Sequence, residues 1–229
     1  MLQCKIRERG YYVEVKIVEL RYDLDRKIPF NYGSKLRGFF ANNFENVLFH
    51  NHDKNGDFVY SYPLIQYKII NNQPTLVGIN QGAEVIVKNF LEIDEIVLGE
   101  KKFKNPSAKL EIHSIDLKVD NNRYKYEFHS PWMALNQKNF KKYLKVDDKK
   151  DFLKSKLIGN ILSFAKGINW WIEKKIEIYD FNFYEIEVNY KNNKMLAFKC
   201  DFEINIQLPT NIGLGKSVSK GFGRIVQVD

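Results

Sequence analysis

Cysteine is nearly missing from this chain of 229 residues: only Cys4 and Cys200 occur. Two isolated cysteines build neither a disulfide framework nor a CxxC metal knuckle, so a reducing cytosol is the expected compartment. Long apolar runs are missing too, and no stretch approaches the roughly 18 residues that a membrane-spanning helix needs. Residues 1–20 carry Lys5, Arg7, Glu8, Arg9, Glu14, Lys16 and Glu19, charges that exclude the apolar core of a signal peptide. A cytoplasmic protein without a membrane partner is expected. Acid is in deficit, with 28 Asp and Glu against 36 Lys and Arg and a formal charge of +8. That balance favours polyanionic partners, nucleic acid above all. Histidines number four, and no downstream His or Cys cluster completes a metal site, so neither metal nor cofactor is expected. What is present is a hydrophobic content of 44%, sufficient for a folded core.

Along the chain, Tyr11–Tyr22 alternates as a strand with Val13, Val15 and Ile17 on one face. Leu36, Phe39, Phe40, Val47 and Leu48 then space as an amphipathic helix that starts near Gly33 and ends near Phe49–Asn51. Phe58–Ile70 and Thr75–Asn80 read as a hairpin, Gly82–Glu92 as a helix and Glu95–Leu98 as a fourth strand. The order strand, helix, strand, strand, helix, strand is a ferredoxin-like unit. The polar, proline-bearing Lys104–Ser107 stretch divides the chain into domains 1–104 and 105–229. Beyond it come a hairpin of Leu110–Val119 with Arg123–His129, a helix over Lys149–Trp171, and strands at Phe183–Tyr190, Met195–Leu208 and Phe222–Val228. The fold expected is α+β, two tandem ferredoxin-like domains ending in a glycine-rich loop.

That loop, GLGKSVSKGFGR, runs from Gly213 to Arg224. Its Gly215-Lys216-Ser217 imitates the end of a P-loop, but Thr210 stands where the first glycine belongs and no helix can follow. What remains is Gly213-Leu214-Gly215, a span holding Lys216, Ser217 and Lys220, then Gly221-Phe222-Gly223 and Arg224. Glycines free backbone N–H groups to cradle phosphate oxygens, lysines add charge, and Leu214 and Phe222 pin the ends to a core. A plain glycine-rich hairpin terminus is the alternative.

The pattern Gly-apolar-Gly, five residues with a base, Gly-apolar-Gly resembles the C-terminal loop of the CRISPR-associated protein 6 family, endoribonucleases that cut CRISPR repeat RNA. Tyr62–Lys68, Gly78–Glu84 and the Ser130-Pro131-Trp132 turn also resemble segments of family members. The resemblance implies metal-independent cleavage by the 2′-hydroxyl, leaving 2′,3′-cyclic phosphate and 5′-hydroxyl ends. It implies repeat RNA as partner, with subunits of a CRISPR effector complex as further partners, and a monomer or homodimer. A non-cleaving RNA-binding subunit of such a complex is the alternative.

Such cleavage needs a base for the 2′-hydroxyl, an acid for the 5′-oxygen and a cation for the phosphorane. Histidine titrates near neutrality and suits the first two roles. The resemblance implies a catalytic histidine at or just after the first helix, helped by a tyrosine and a lysine. His50 or His52 takes that place, with Tyr32 and Lys54 as helpers. A metal pair of His50 and His52 with Asp53 or Asp57 is the alternative from the residues alone. Lys35 and Arg37 on the first helical turn, with Gly213, Gly215, Lys216, Ser217, Lys220, Gly221, Gly223 and Arg224, are the expected RNA contacts. Trp132, Trp170 and Trp171 either stack on bases or pack in the core, and Lys138, Lys141, Lys142 and Lys145 form a basic run. His113 and His129 read as structural.

Overall fold

The computed structural model describes residues 5–7, 10–50, 61–191 and 193–229. They divide into two compact units. One gathers the chain up to Val13 with Asp116–Val218 and Phe222–Asp229; the other is Glu14–Ile115 with Ser219–Gly221. Strand β1 (Lys5–Arg7) pairs antiparallel with the start of β2 (Gly10–Asp23), Arg7 opposite Gly10. Val18, Leu20 and Tyr22 of β2 enter the core of the second unit. Val15 and Ile17 are fully buried as well, so both faces of the strand are covered.

A 3-10 turn, Phe30–Tyr32, leads into α1 (Gly33–Asn43), which buries Leu36 and Phe40. The single helix expected as far as Phe49 breaks here. Asn42 and Asn43 are weak helix formers, and Phe44 turns to extended backbone, φ −129° and ψ 129°. Its ring then lies 4.9 Å from Phe49 and 5.7 Å from Phe40. Such ring pairs contribute about 0.5–1.5 kcal/mol each beyond burial and favour the break. Asn46 opens a separate turn, α2 (Val47–His50), by accepting the Leu48 N–H at 3.0 Å.

β3 (Ile65–Ile70) and β4 (Gln73–Ile79) form the expected hairpin through Asn71 and Asn72, both at positive φ. Phe58–Tyr60 of the expected strand lie outside the described residues. Next come α3 (Gln81–Asn89), with a 3-10 turn at Phe90–Glu92, and β5 (Glu95–Leu98). β5 is not the fourth strand of the sheet. It turns at Gly99, φ +70°, and pairs with β6 (Lys101–Lys104) in a hairpin of its own. The place beside β2 goes to β7 (Ser107–Leu117), whose 11 residues offer a longer ladder than the 4 of β5. The sheet therefore runs β1-β2-β4-β3, with β7 also on β2. Residues 105–115, placed beyond the division expected after Lys104, group with this unit.

The hairpin expected between Leu110 and His129 does not form either. β8 (Val119–Phe128) enters a different sheet, ordered β11-β8-β10-β9. Asp120–Asn122, which would join the two strands of that hairpin, lie inside β8, where Asp120 accepts the Asn122 N–H at 2.9 Å. α4 (Gln137–Tyr143) and α5 (Lys149–Gly167) follow, capped by Asn136 and Asp148, whose side chains accept N–H groups from Asn139 and Asp151. Leu153, Leu157, Ile161 and Phe164 of α5 form one buried stripe. The helix stops before Trp171 because Asn169 adopts φ +57° and the Trp170 N–H turns back to the Ala165 carbonyl at 2.8 Å. β9 (Ile178–Tyr190) and β10 (Asn193–Ile206) make a long hairpin, and β11 (Ile225–Val228) closes the sheet on β8. Between β10 and β11 the chain forms only a 3-10 turn, Val218–Lys220. The architecture is α+β with sheets of antiparallel pairs. No helix of the described residues is long and apolar enough to cross a membrane.

Candidate functional site

His50 ends α2 and is half-buried. Its Nε2 lies 2.6 Å from the Phe44 carbonyl oxygen, which the break after α1 has turned toward it. A carbonyl only accepts, so Nε2 carries the proton and Nδ1 is left as the atom that can exchange one. The backbone of the same residue is held as well: Arg37 Nη2 donates to the His50 carbonyl at 2.6 Å. Arg37, expected to meet RNA, thus spends part of its guanidinium on positioning the histidine. Beneath them the Tyr67 hydroxyl donates to the Phe49 carbonyl at 3.1 Å. Burial pushes the Tyr67 phenol well above its usual range, with the charge of Arg37 offsetting part of the effect, so Tyr67 is a neutral donor here. His52 and Lys54 lie outside the described residues.

Tyr32 stands just before α1, half-buried, with the Lys35 ammonium 3.8 Å from its ring centroid. Among the described residues no hydrogen bond joins Tyr32 to His50. The structure therefore groups His50 with Arg37 and Phe44, and Tyr32 with Lys35. The Phe44 carbonyl has no signature in the sequence, because a backbone acceptor is aimed by the aromatic cluster around it.

The glycine-rich loop closes on itself. Gly213 bridges Arg224, and the Leu214 N–H donates to the Gly223 carbonyl at 2.8 Å. The neighbouring Ser130–Met133 segment takes further donors: Gly223 N–H to the Pro131 carbonyl at 2.9 Å and Lys216 N–H to the Met133 carbonyl at 3.0 Å. The Arg224 N–H donates to Ser130 Oγ at 2.8 Å, and its guanidinium to Asn211 Oδ1 at 2.7 Å. These N–H groups, expected to face phosphate, are satisfied by protein instead. The glycines answer to close packing. A Cβ on Gly213 would lie 2.7 Å from that of Val218, one on Gly215 2.8 Å from Trp132 Nε1, and one on Gly223 would overlap the Leu214 carbonyl oxygen. Leu214 and Phe222 are buried, as the pinned ends require. The tip, Ser219–Gly221, belongs to the unit that carries α1, where the Lys220 carbonyl would be 2.6 Å from a Cβ on Gly33. Lys216 is exposed, and Ser217, Lys220 and Arg224 are partly so.

The tryptophans separate sharply. Trp132 and Trp170 are buried at 0% and 8% exposure, whereas Trp171 is 85% exposed beyond the end of α5. Lys138, Lys141, Lys142 and Lys145 are all exposed on and just after α4. His113 lies exposed on β7, and His129 Nε2 is 3.5 Å from Glu127. Among the described residues no group of His, Cys, Asp and Glu could hold a metal ion.

Residues 13–116 match the family model for the Cas6b N-terminal domain and residues 118–228 the model for the Cas6b C-terminal domain. A solved structure of Cas6b is 34% identical, with 94% of this chain covering 100% of that one at a TM-score of 0.87. A second, of a CRISPR RNA processing endoribonuclease Cas6b, is 32% identical with the same coverage and a TM-score of 0.76. An uncharacterized protein of Methanocaldococcus jannaschii is 35% identical over 141 residues, which are 61% of this chain and 96% of that protein. With both family models together spanning nearly the whole sequence, the chain belongs to the Cas6b group of the CRISPR-associated protein 6 family.

Proposed function

We propose that the chain is an endoribonuclease that processes CRISPR RNA by cutting within the repeat, without metal, through attack of a 2′-hydroxyl on the adjacent phosphate. The observation that carries the reading is His50, with Nε2–H tied to the Phe44 carbonyl and its backbone to Arg37. In this reading Nδ1 of His50 takes the 2′-hydroxyl proton. The 2′-oxygen bonds to phosphorus, the bond to the 5′-oxygen breaks, and that oxygen leaves with a proton. The products are a 2′,3′-cyclic phosphate and a 5′-hydroxyl. His52 and Lys54 follow in the chain as second proton carrier and cation, and Tyr32 orients the RNA. A relative bearing the name CRISPR RNA processing endoribonuclease supports the substrate.

The same reading takes each half as ferredoxin-like. The strand neighbours support it: β2 with β7 and β4 beside it and β3 beyond in one half, and β11-β8-β10-β9 with an irregular run in place of a second helix in the other. That run carries Lys216, Ser217, Lys220 and Arg224, the RNA contacts of the second half.

Incubating repeat RNA with the protein in excess EDTA tests the proposal. Cleavage persists, and His50→Ala lowers its rate by about 10²–10⁴ while RNA binding is retained. Cleavage that needs a divalent ion overturns the mechanism, and tight binding with no cleavage by the unaltered protein makes it a non-catalytic subunit.

A further inference from the structure

The β5–β6 hairpin, excluded from the main sheet of its unit, carries Lys101, Lys102 and Lys104, all exposed. The Lys101 ammonium lies 5.6 Å from the centroid of the Tyr32 ring, the ring that Lys35 approaches to 3.8 Å. Two ammonium groups thus share one aromatic side chain, and neither has a carboxylate partner among the described residues. Lys102 differs, with Nζ 3.6 Å from the Glu95 carboxylate. Both lysines are flexible and lie at one ring, so an anion bound beside it can take a charge-assisted contact from each.

Beside this cluster a cleft of about 660 Å³ runs between α1 and the hairpin. Lys35 lies on its wall together with Phe39, Asn42 and Phe44, but Glu92 and Asp94 line it too. Those carboxylates repel a phosphate from the cleft interior. They accept hydrogen bonds from the amino groups of a nucleobase, and the phenylalanines offer it apolar surface. The charge distribution therefore assigns the two parts of a nucleotide to different places: phosphate at Lys35 and Lys101, base in the cleft.

We propose that Tyr32, Lys35 and Lys101 form a nucleotide clamp that holds one phosphate of single-stranded RNA while the adjoining cleft takes its base. This rests on the RNA-processing reading above. The test is the salt dependence of binding to fluorescently labelled repeat RNA, measured by anisotropy in the His50→Ala background. Lys101→Ala weakens binding roughly three- to tenfold at about 0.1 M salt and lowers the slope of log K against log salt by about 0.7–0.9, the value for one phosphate contact. Lys101→Glu weakens it further, whereas Lys102→Ala, which removes an already paired charge, changes affinity less than about twofold. Unchanged affinity and slope in both Lys101 variants, with the parent still binding, overturn the clamp alone; so does an equal loss in Lys102→Ala. A parent that binds no RNA at low salt overturns the RNA reading and the clamp together.

Discussion

The glycine-rich loop and the corner between α1 and α2 use their backbones in opposite directions. In the loop, the N–H groups of Leu214, Lys216, Gly223 and Arg224 are directed inward to Gly223, Met133, Pro131 and Ser130. At the corner, the carbonyls of Phe44 and His50 are directed at side chains, the His50 ring and the Arg37 guanidinium. The loop's repeated glycines therefore encode a shape, and whatever the loop does to RNA falls to its side-chain charges. The corner has no motif; its shape comes from three packed rings, Phe40, Phe44 and Phe49, and one arginine.

The largest effect expected of that difference is on stability. Gly223→Ala places a methyl group on the Leu214 carbonyl oxygen at a φ of +65°, so neither the space nor the conformation suits it. A loss of roughly 3 kcal/mol is expected by denaturant unfolding. Gly38, in the middle of α1, has nothing within 4 Å of a Cβ. Gly38→Ala should stabilise by about 0.5–1 kcal/mol, since it removes backbone freedom from the unfolded chain. Equal responses at the two positions would sink the reading of the loop as a close-packed element.

A smaller effect probes the corner. Arg37→Ala removes the contact that fixes the His50 backbone but leaves the Phe44 carbonyl on its ring. The expected result is a drop in kcat of about 10- to 100-fold with KM little changed, as displacement of a proton carrier predicts. Partial recovery in Arg37→Lys, which restores one donor, separates positioning from a lost RNA contact. A rise in KM with kcat intact would return Arg37 to the RNA surface.

Much of this was legible in the residues. The β3–β4 hairpin follows from Asn71-Asn72, the stripe of α5 from Leu153, Leu157, Ile161 and Phe164, and the pinned loop ends from Leu214 and Phe222. What was not legible depended on competition between distant segments. β5 satisfies the strand pattern, yet β7 outcompetes it for the edge of β2. The helical spacing expected from Leu36 to Leu48 runs through residue 44, yet the helix stops there and the Phe44 ring packs at 4.9 Å from that of Phe49. Once the helix breaks there, the proton on His50 is placed by a carbonyl that no side-chain pattern announces. Tyr32 meets Lys35, one helical turn on in α1, while His50 is held by Arg37 and Phe44. The lysines at 101, 102 and 104 were in plain view, but their meaning required the hairpin that β5 forms outside the sheet.

The smallest effect returns to the loop. If its glycines set shape and its lysines meet phosphate, the two functions are separable. Of the two substitutions combined to test this, Lys216→Ala and Lys220→Ala, the first should leave unfolding nearly unchanged, because the Lys216 N–H that bonds the Met133 carbonyl survives truncation of the side chain. Binding to repeat RNA should weaken roughly fivefold, and its salt slope should flatten by about 1.5, close to two phosphate contacts. Gly223→Ala would show the converse pattern, a large loss of stability with any loss of affinity following from it. A doubly truncated loop that binds RNA as before would mean that Ser130–Met133 and the loop brace one another for the fold alone, leaving the phosphates to the lysines around Tyr32.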